Sequence, residues 1–465
     1  MSYLLPTHPS IPCDDPLGVL DVENPLQYQV LEKMLQSSLA RIASNSPPAV
    51  VVPTLIEDIA YTIHRNGTID IENLRQFLSR DASGTSAKTV QYLLFAAQHL
   101  SERFRSQLLE TLDAGRDTVT YTGAQVDSLL AHQFLGTLSQ PEGNTWGLPC
   151  FTSWFVSDPA HRQAVDGYLT TLLDHFAQGG YSENDLFVFS LQTALEMPDP
   201  SQCRRYPNLH LYVVAEESEP SYASIPSLSA FSDAEQTTPF PASTSGTPFA
   251  LVAAHSEPGP GPTGTQEERL QSASLALSVS ALVIPKIPND AAVVTSEFPV
   301  HASWKGHNRT ATLNGLYDGG KRPSRHYILA DALPLDEVES KPGMLKDMGK
   351  GRIEREVRKL YAAFSGAVNM HIAVQARNRE TCVVETSAWG CGAFGGDIIV
   401  KTMCMMIAAG MTGMELHLTL LEQRAQEIST VELLLKNTRT TAELWQLLIK
   451  STSPVDLVKN ISTDH

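Results

Sequence analysis

The sequence predicts an α/β protein in which a mixed sheet in a three-layer α/β/α arrangement follows an all-helical region. Between residues 51 and 180, apolar residues recur three and four positions apart, as in Lys88–Leu112 and Gln163–Phe176, which is the period of amphipathic helices. From Pro248 onward, short apolar runs alternate with helical patterns. This alternation is typical of a sheet covered by helices, so we expect two structural regions of different class.

The individual elements follow from local patterns. Thr122-Gly123-Ala124-Gln125 stands before an apolar helical run and predicts a capping box at a helix start. Helices are also predicted over Glu267–Val283, Arg352–Phe364 and Ile398–Ala409, and two short ones over Val431–Lys450. The predicted strands are Leu209–Val214, Phe249–Ala254, Ala291–Thr295, Ser324–Leu329, His371–Val374, Thr381–Glu385 and Leu416–Leu421.

Composition shifts along the chain predict the domain bounds. Residues 1–50 are rich in Pro and Ser and are expected to form an extended arm. A helical domain is expected over 51–205 and an α/β domain with C-terminal helices over 206–465. Within the latter, residues 217–248 are dominated by Ser, Pro, Thr and Ala and predict a flexible loop.

Bulk properties exclude several classes of protein. The 465 residues carry a net charge of -17, which argues against capture of a polyanion by the overall field. The first thirty residues lack a signal-peptide pattern and no apolar run is long enough to span a bilayer, so a nuclear or cytoplasmic protein is expected and not a secreted one. The six cysteines form no C-x-x-C pair, so we expect neither disulfides nor a zinc site, and the histidines, including His132 and His417, are expected to be structural.

The most informative stretch is Trp389-Gly390-Cys391-Gly392-Ala393-Phe394-Gly395-Gly396-Asp397, between a predicted strand and a predicted helix. Glycines let backbone N–H groups crowd around phosphate oxygens, and the start of the following helix adds a positive field, so an anion site is predicted. Asp397 and Lys401 are expected to form a charge pair at the helix start, and Cys391 to be a small filler. The Gly390-x-Gly392-x-x-Gly395 spacing also fits a dinucleotide fingerprint, but the acidic Glu415 precedes the next strand where it should follow it.

A second motif, Gln266-Glu267-Glu268, opens the helix after the first strand of the α/β region. Two adjacent carboxylates suit cleavage of a glycosidic bond, which needs an acid for the leaving oxygen and a base for water. The same residues also read as a helix cap, because Thr265-x-x-Glu268 is a capping box and the helix dipole favours glutamates in a first turn.

The nine-residue glycine stretch, with its Ala-rich helix behind it, resembles the diphosphate loop of the poly(ADP-ribose) glycohydrolase family, whose catalytic domain is a macrodomain. Ser128–Leu138 and Gly167–Leu173 are similar to the helical accessory domain of that family, and Thr441–Leu448 to its closing helices. The resemblance therefore implies a macrodomain-like catalytic domain preceded by a helical one.

The resemblance also implies roles for the residues that match. Glu268 would be the acid and base, Glu267 would hold ribose hydroxyls and Gln266 would fix the loop, while residues 257–264 close over the diphosphate. Phe394 would pack against the reacting ribose, or else plug the loop onto the core. The residues expected to contact the diphosphate or its covering loop are Gly259, Gly261, Gly264, Gly390, Gly392, Ala393, Gly395 and Gly396.

Several positions depart from the family pattern. Gly259-Pro260-Gly261 stands where the family has a triple glycine, and His255 where it has an asparagine. The nearest match to an aromatic-rich segment over the ligand is Trp304-Lys305-Gly306-His307. Trp304 is expected either to stack on the ligand or, as a lone tryptophan on a loop, to pack in the protein, and His307 to hydrogen-bond to the ligand. Leu420 lies where the family places a phenylalanine against adenine.

The resemblance implies hydrolysis of poly(ADP-ribose) to ADP-ribose, without a metal or an organic cofactor. The expected partners are poly(ADP-ribose) chains and ADP-ribosylated proteins, with no direct contact to DNA or membrane. The alternative from another class is an ADP-ribose-binding reader that has lost turnover, which the three prolines Pro258, Pro260 and Pro262 favour because they remove N–H donors. A nicotinamide-linked dehydrogenase remains as a third, weaker hypothesis.

Overall fold

A computed structural model describes residues 2–64, 69–80, 85–141, 147–215, 246–306, 308–339, 345–374, 381–437, 439–451 and 453–463. The strands are β1 Ser2–Leu4, β2 Leu108–Glu110, β3 Thr118–Thr122, β4 Leu186–Thr193, β5 Asn208–Val214, β6 Gly246–Ala254, β7 Ala291–Thr295, β8 Phe298–Pro299, β9 Ala302–Lys305, β10 Thr312–Leu316, β11 Ser324–Asp331, β12 Thr381–Thr386 and β13 Glu415–Leu421. The helices are α1 Gln27–Ala43, α2 Pro48–Thr62, α3 Glu72–Leu78, α4 Ala87–Gln98, α5 Leu100–Arg103, α6 Gly123–Leu135, α7 Arg162–Ala177, α8 Gln266–Ala273, α9 Ser280–Val283, α10 Arg352–Val374, α11 Ile398–Thr412, α12 Ala425–Lys436, α13 Thr441–Lys450 and α14 Pro454–Thr463.

The chain divides into two compact units that are interleaved in sequence. The helical unit contains residues 1–188, 257–286 and 298–323, and the sheet unit contains residues 189–256, 287–297 and 324–465. The Gln266–Glu268 motif therefore packs with the helical unit, although the strand before it belongs to the sheet unit. The domain bounds predicted from composition, 51–205 and 206–465, remain a prediction. The two compact units divide the chain at other positions.

In the helical unit, α4 packs on α1, α6 and α7. The predicted capping box is present at α6, where Thr122 accepts from the amide of Gln125, and the helix ends at Gly136 with φ of 72°. The predicted extended arm over residues 1–50 is wrong for α1, because Val30, Leu31 and Met34 lie at helical spacing and are buried.

The sheet unit is built on strands in the order β4-β7-β11-β6-β12-β13-β5. Strand β7 is antiparallel to both β4 and β11, whereas β11, β6, β12, β13 and β5 pair in parallel. The predicted α/β class with a mixed sheet is confirmed. Its core lies between one sheet face and α10 and α11, with Phe249, Leu416 and Leu418 contributed by alternate strand positions.

Some element boundaries differ from the predictions. The predicted strand His371–Val374 is wrong, because α10 continues through Val374. The predicted helix Glu267–Val283 is interrupted after α8 by a tighter helical stretch, Leu275–Val279. The predicted flexible loop falls mainly on residues 216–245, which lie outside the described residues. None of the described helices is long and apolar enough to cross a membrane.

Candidate active site

The glycine stretch lies in the sheet unit, between the end of β12 and the start of α11, as the sequence predicts. Gly390 and Gly395 adopt φ angles of 72° and 68°, which favour glycine. A Cβ atom on Gly390 would also lie 2.5 Å from the Cβ atom of Ala332. Glycine is therefore required at position 390 for two independent reasons.

The middle of this loop has unused donors. The amides of Gly395 and Gly396 donate to the carbonyls of Gly392 and Gly390 at 3.1 and 3.0 Å, which closes the turn. By contrast, no acceptor in the described ranges takes the amides of Gly392, Ala393 and Phe394, and Gly392 and Ala393 are exposed. Three consecutive backbone donors on an exposed glycine-rich turn are a suitable site for an anion.

The helix behind the loop contributes less to an anion site than predicted. Asp397 caps α11, and its Oδ1 atom accepts the amides of Ile399 and Val400 at 2.9 and 3.0 Å. This carboxylate satisfies the first turn and offsets the positive end of the helix dipole. The donors left for a phosphate therefore belong to the loop and not to the helix.

A buried ionic cluster lies beneath the loop. The predicted pairing of Lys401 with Asp397 is wrong, because the Lys401 ammonium lies 3.2 Å from Asp347 and 2.9 Å from Glu356. Burial lowers the pKa of Lys401, but these two carboxylates outweigh it and hold the pKa above its usual value. Asp347 also accepts the amide of Asp397 at 2.7 Å. The cluster thus holds the C-terminal end of the loop through its backbone.

The loop has two further supports. The carbonyl of Phe394 accepts the amides of Leu335 and Asp336 at 2.9 and 3.1 Å. The Phe394 side chain is half-buried and packs against the core of the sheet unit. Burial raises the pKa of the Cys391 thiol far above its usual value, which leaves it unreactive and fits a filler.

The Gln266–Glu268 motif opens α8 in the helical unit. The predicted capping box is present: Thr265 Oγ1 accepts the amide of Glu268 at 3.3 Å, and Glu268 Oε2 accepts the amide of Thr265 at 3.0 Å. Thr263 donates to the same carboxylate through its amide at 2.9 Å and its hydroxyl at 2.8 Å. A Cβ atom on Gly261 would lie 2.0 Å from Glu268 Oε1, so a larger residue there would displace this carboxylate.

The two glutamates of this motif have different surroundings. Glu267 is buried, and its Oε1 atom accepts the side-chain amide of Gln271 at 2.9 Å. Glu268 is only partly buried and faces the loop that precedes it. Of the adjacent pair, Glu268 is therefore the carboxylate closer to solvent.

The loop before the motif is attached to the helical unit. The indole Nε1 of Trp154 donates to the carbonyl of Gly261 at 3.1 Å. The amide of Asn308 donates to the carbonyl of Gly264 at 2.9 Å. Pro258 and Pro260 are buried. Glycine is again needed at Gly264, whose φ is 71°. These attachments fix the loop that carries the altered signature.

An aromatic cluster of Trp154, Tyr168 and Trp304 lies beside this loop. Ring centroids are 5.3 Å apart between Trp154 and Tyr168, and 5.0 Å apart between Tyr168 and Trp304. The expectation that Trp304 stacks on a ligand is wrong, because this ring is 1% exposed and packs against Gly167 and Tyr168. Burial, and then the charge of Glu268, raise the pKa of Tyr168 well above its usual value.

Sequence reasoning missed Trp154, which donates to the loop before Glu268, and Tyr168, which feels the charge of Glu268. The only available signal for Tyr168 was its place in the Gly167–Leu173 stretch that resembles the accessory domain. For the other predicted contacts, His255 is exposed after β6, His307 lies outside the described residues, and Leu420 is buried in the core.

The predicted site residues fall into two sets, each within one unit. Gln266, Glu267, Glu268, Gly259, Gly261, Gly264 and Trp304 lie in the helical unit, whereas His255, Gly390, Gly392, Ala393, Phe394, Gly395 and Gly396 lie in the sheet unit.

Comparison with known proteins bears on the segment that contains both motifs. Residues 259–427 match the family model described as poly (ADP-ribose) glycohydrolase (PARG), Macro domain fold. No curated protein matches the sequence. Similar solved structures include the poly(ADP-ribose) glycohydrolase of Deinococcus radiodurans in complex with ADP-ribose, at 16% identity and a TM-score of 0.31, covering 50% of this chain and 87% of that one. That of Thermomonospora curvata bound to the inhibitor ADP-HPD has 14% identity and a TM-score of 0.28, covering 50% of this chain and 78% of that one.

The family assignment rests on the matched segment, since the TM-scores are low. That segment begins at Gly259 and includes both Gln266-Glu267-Glu268 and the Trp389–Asp397 loop. The macrodomain-like class predicted from these motifs is confirmed by the description of the matching family. Over residues 259–427, the chain is therefore similar to the macrodomain of the poly(ADP-ribose) glycohydrolase family.

Proposed function

We propose that the protein hydrolyses the ribose–ribose O-glycosidic bonds of poly(ADP-ribose) and releases ADP-ribose. The observation that carries the proposal is the set of three unused amides on the exposed turn Gly392–Phe394, within a segment that matches the catalytic domain of this family. These amides would bind the diphosphate, and Gly390, Gly395 and Gly396 would keep the turn in shape. Such donors bind an anion without any net positive charge on the protein, in keeping with its charge of -17.

Glu268 is proposed as the general acid and base. It is the more accessible of the two carboxylates, and Thr263 and Thr265 hold it in a defined orientation. One carboxyl can protonate the leaving ribose oxygen and then activate water in turn. Glu267 and Gln266 would support the ribose and the loop, as the family resemblance implies. The same proposal includes the partners, which are poly(ADP-ribose) chains and ADP-ribosylated proteins, and a nuclear or cytoplasmic location.

A reader of ADP-ribose is the second candidate, and a specific observation favours it. Both Glu268 oxygens already accept hydrogen bonds from Thr263, and Oε2 also accepts one from Thr265, which is the full pattern of a helix cap. The altered loop also has prolines at positions 258, 260 and 262, which offer no amide to a phosphate. A reader needs the glycine loop but not the carboxylate.

The test is incubation of the purified protein and of a Glu268→Gln variant with poly(ADP-ribose), measuring both released ADP-ribose and polymer binding. Loss of general acid–base catalysis is expected to slow release by about 10²–10⁴-fold, with binding retained. Glutamine at this position still completes a capping box, so the variant should fold. Glu354→Gln, an exposed glutamate in the first turn of α10, is the matched control.

The outcomes separate the two candidates. Release by the native protein and by Glu354→Gln, but not by Glu268→Gln, supports the hydrolase. Polymer binding without release by any of the three proteins supports the reader. Release that Glu268→Gln leaves unchanged contradicts the role of Glu268.

A further inference from the structure

Two strands of the sheet unit carry the same short pattern, and they are direct neighbours. Strand β5 reads Asn208-Leu209-His210-Leu211, and β13 reads Glu415-Leu416-His417-Leu418. The strands are parallel and pair in register, with His210 opposite His417 and Asn208 opposite Glu415. Because successive residues of a strand point to opposite faces, Glu415 and the two histidines share one face.

The side chains on this face converge on one point. His417 Nε2 lies 2.6 Å from Glu415 Oε1, and His210 Nε2 lies 3.3 Å from the same oxygen. The three potential ligand atoms all lie within 4.8 Å of one another. Among the residues that the structure describes, these three form the group of histidine, cysteine or acidic side chains whose ligand atoms lie close enough together to hold a metal ion.

We propose that His210, Glu415 and His417 bind a divalent transition-metal ion, with zinc as the expected occupant. In tetrahedral zinc sites the bonds to nitrogen and oxygen are about 2.0–2.2 Å long, so neighbouring ligand atoms lie roughly 3.4 Å apart. Small rotations of the three side chains reach that spacing. Two imidazoles and one carboxylate form a ligand set known for zinc, whereas Mg²⁺ and Ca²⁺ prefer oxygen ligands alone.

The surroundings suit an ion that enters from solvent. The His210 side chain is 47% exposed, that of Glu415 is 16% exposed, and that of His417 is 2% exposed. The buried His417 is thus fixed by packing, while the exposed His210 leaves a path for the ion and a coordination position for water. Asn208 Nδ2 donates to Glu415 Oε2 at 3.2 Å, which leaves Oε1 facing the imidazoles.

A bound ion would cross-link β5 to β13. The expectation that His417 is merely structural would then be incomplete, because the same residue would serve a metal. The competing explanation needs no ion: Glu415 accepts a hydrogen bond from each imidazole, and the three side chains form a polar network on the sheet face. Metal binding separates the two explanations, and it does so whether or not the protein hydrolyses poly(ADP-ribose).

The experiment uses the full chain after treatment with a chelator. Co²⁺ is titrated in as a spectroscopic probe and then displaced by Zn²⁺, and the thermal unfolding midpoint is followed with and without Zn²⁺. We expect one Co²⁺ per chain with the strong visible bands of tetrahedral coordination, and a higher midpoint with Zn²⁺. Asn208→Ala should weaken binding by about 10–100-fold, as loss of a residue that orients a ligand does, and His210→Ala should weaken it further.

His161→Ala, at the N-cap of α7 in the helical unit, is the control for other histidines and should bind the ion as the native chain does. His210→Ala is chosen as the ligand variant because its side chain is half exposed, so its metal-free unfolding midpoint should stay close to native. The proposal is overturned if the native chain binds no stoichiometric ion. It is equally overturned if His210→Ala binds as tightly as the native chain, since the ion would then occupy another place.

Discussion

The two segments that carry the family motifs differ in how their polar groups are used. In the Trp389–Asp397 loop, three consecutive amides have no acceptor in the described part of the chain, and a buried ionic cluster supports the loop from below. In the Gln266–Glu268 segment, both glutamates already accept hydrogen bonds from their own unit. The first segment keeps unused backbone donors, whereas the carboxylates of the second are already hydrogen-bonded within their own unit.

The largest expected effect comes from removing the ammonium under the glycine loop. Lys401→Met leaves the buried Asp347 without its cation and Glu356 with Arg355 alone, and we expect a loss of about 3–5 kcal/mol in unfolding free energy. Because Asp347 also accepts the amide of Asp397, binding of ADP-ribose should weaken as well. Urea unfolding and calorimetric titration with ADP-ribose measure the two effects.

The matched control is Lys346→Met, whose ammonium makes an exposed contact to the carbonyl of Asp336. It should change stability by less than about 1 kcal/mol. If Lys401→Met were as stable as this control, the cluster would not support the loop, and the contrast between the two segments would lose its structural basis.

The second prediction concerns the unit that carries Gln266–Glu268. Burial lowers the pKa of His132 from 6.5 to about 4, and its ring nitrogens lie 2.6 Å from Thr137 Oγ1 and 2.9 Å from the carbonyl of Ala97. Between pH 6.5 and about 4 the unfolded chain binds the proton that the folded chain does not, so stability falls as the pH falls. The loss should be on the order of 3 kcal/mol by the lower end of that window.

The measurement is urea unfolding of the native chain and of His132→Gln across this pH range, with fluorescence of the tryptophans as the probe. Glutamine cannot titrate, so the variant should lose less stability on acidification even where it is less stable at pH 7. Parallel pH profiles for the two proteins would show that His132 does not carry the acid sensitivity.

How far the sequence predicted these segments depends on the range of the interactions. The capping boxes at Thr122 and Thr265 are confirmed. They could be predicted because each capping residue and its partner lie three residues apart in the sequence. The partners of Lys401 were missed because Asp347 and Glu356 reach it only through tertiary packing. The sequence offers Asp397 as the local partner, but that carboxylate is used as a helix cap.

The same distinction explains the other errors. His371–Val374 has the short apolar composition of a strand, but α10 continues through it once Leu360 and Phe364 are buried against the sheet. Trp304 was expected at a ligand because its stretch is the nearest match to the aromatic segment of the family, and its burial against Tyr168 depends on a helix far away in sequence. Which carboxylate and which amides remain available is a property of the fold, and no spacing rule gives it.

The third prediction compares two glycines within the loop. A Cβ atom at Gly396 would lie 2.6 Å from Lys401 Cε and 2.8 Å from the carbonyl oxygen of Gly390, whereas one at Gly392 would meet no atom within 4 Å. Gly396→Ala should therefore destabilise by about 1–3 kcal/mol, and Gly392→Ala should leave the unfolding free energy almost unchanged. Thermal and urea unfolding test both, and equal losses would contradict the packing described for Gly396.

The smallest expected effects come from two indole donors, one bonded to the loop before Gln266–Glu268 and one within the Trp389–Asp397 loop. Trp154 donates to the carbonyl of Gly261 before the Gln266–Glu268 motif, and Trp389 donates to the carbonyl of Ala330 beneath the glycine loop at 3.0 Å. Phenylalanine at either position keeps an aromatic ring and removes the N–H group, so each variant should lose about 1 kcal/mol of stability.

The functional effects of the two variants should differ. Trp154→Phe should lower kcat for ADP-ribose release with binding intact, because the loop before Glu268 is held less firmly. Trp389→Phe should weaken ADP-ribose binding, because the turn that presents the free amides moves with it. If the two variants instead changed kcat and binding in the same proportion, the two segments would act as one element, and the division between a prepared anion site and a self-bonded carboxylate would fail.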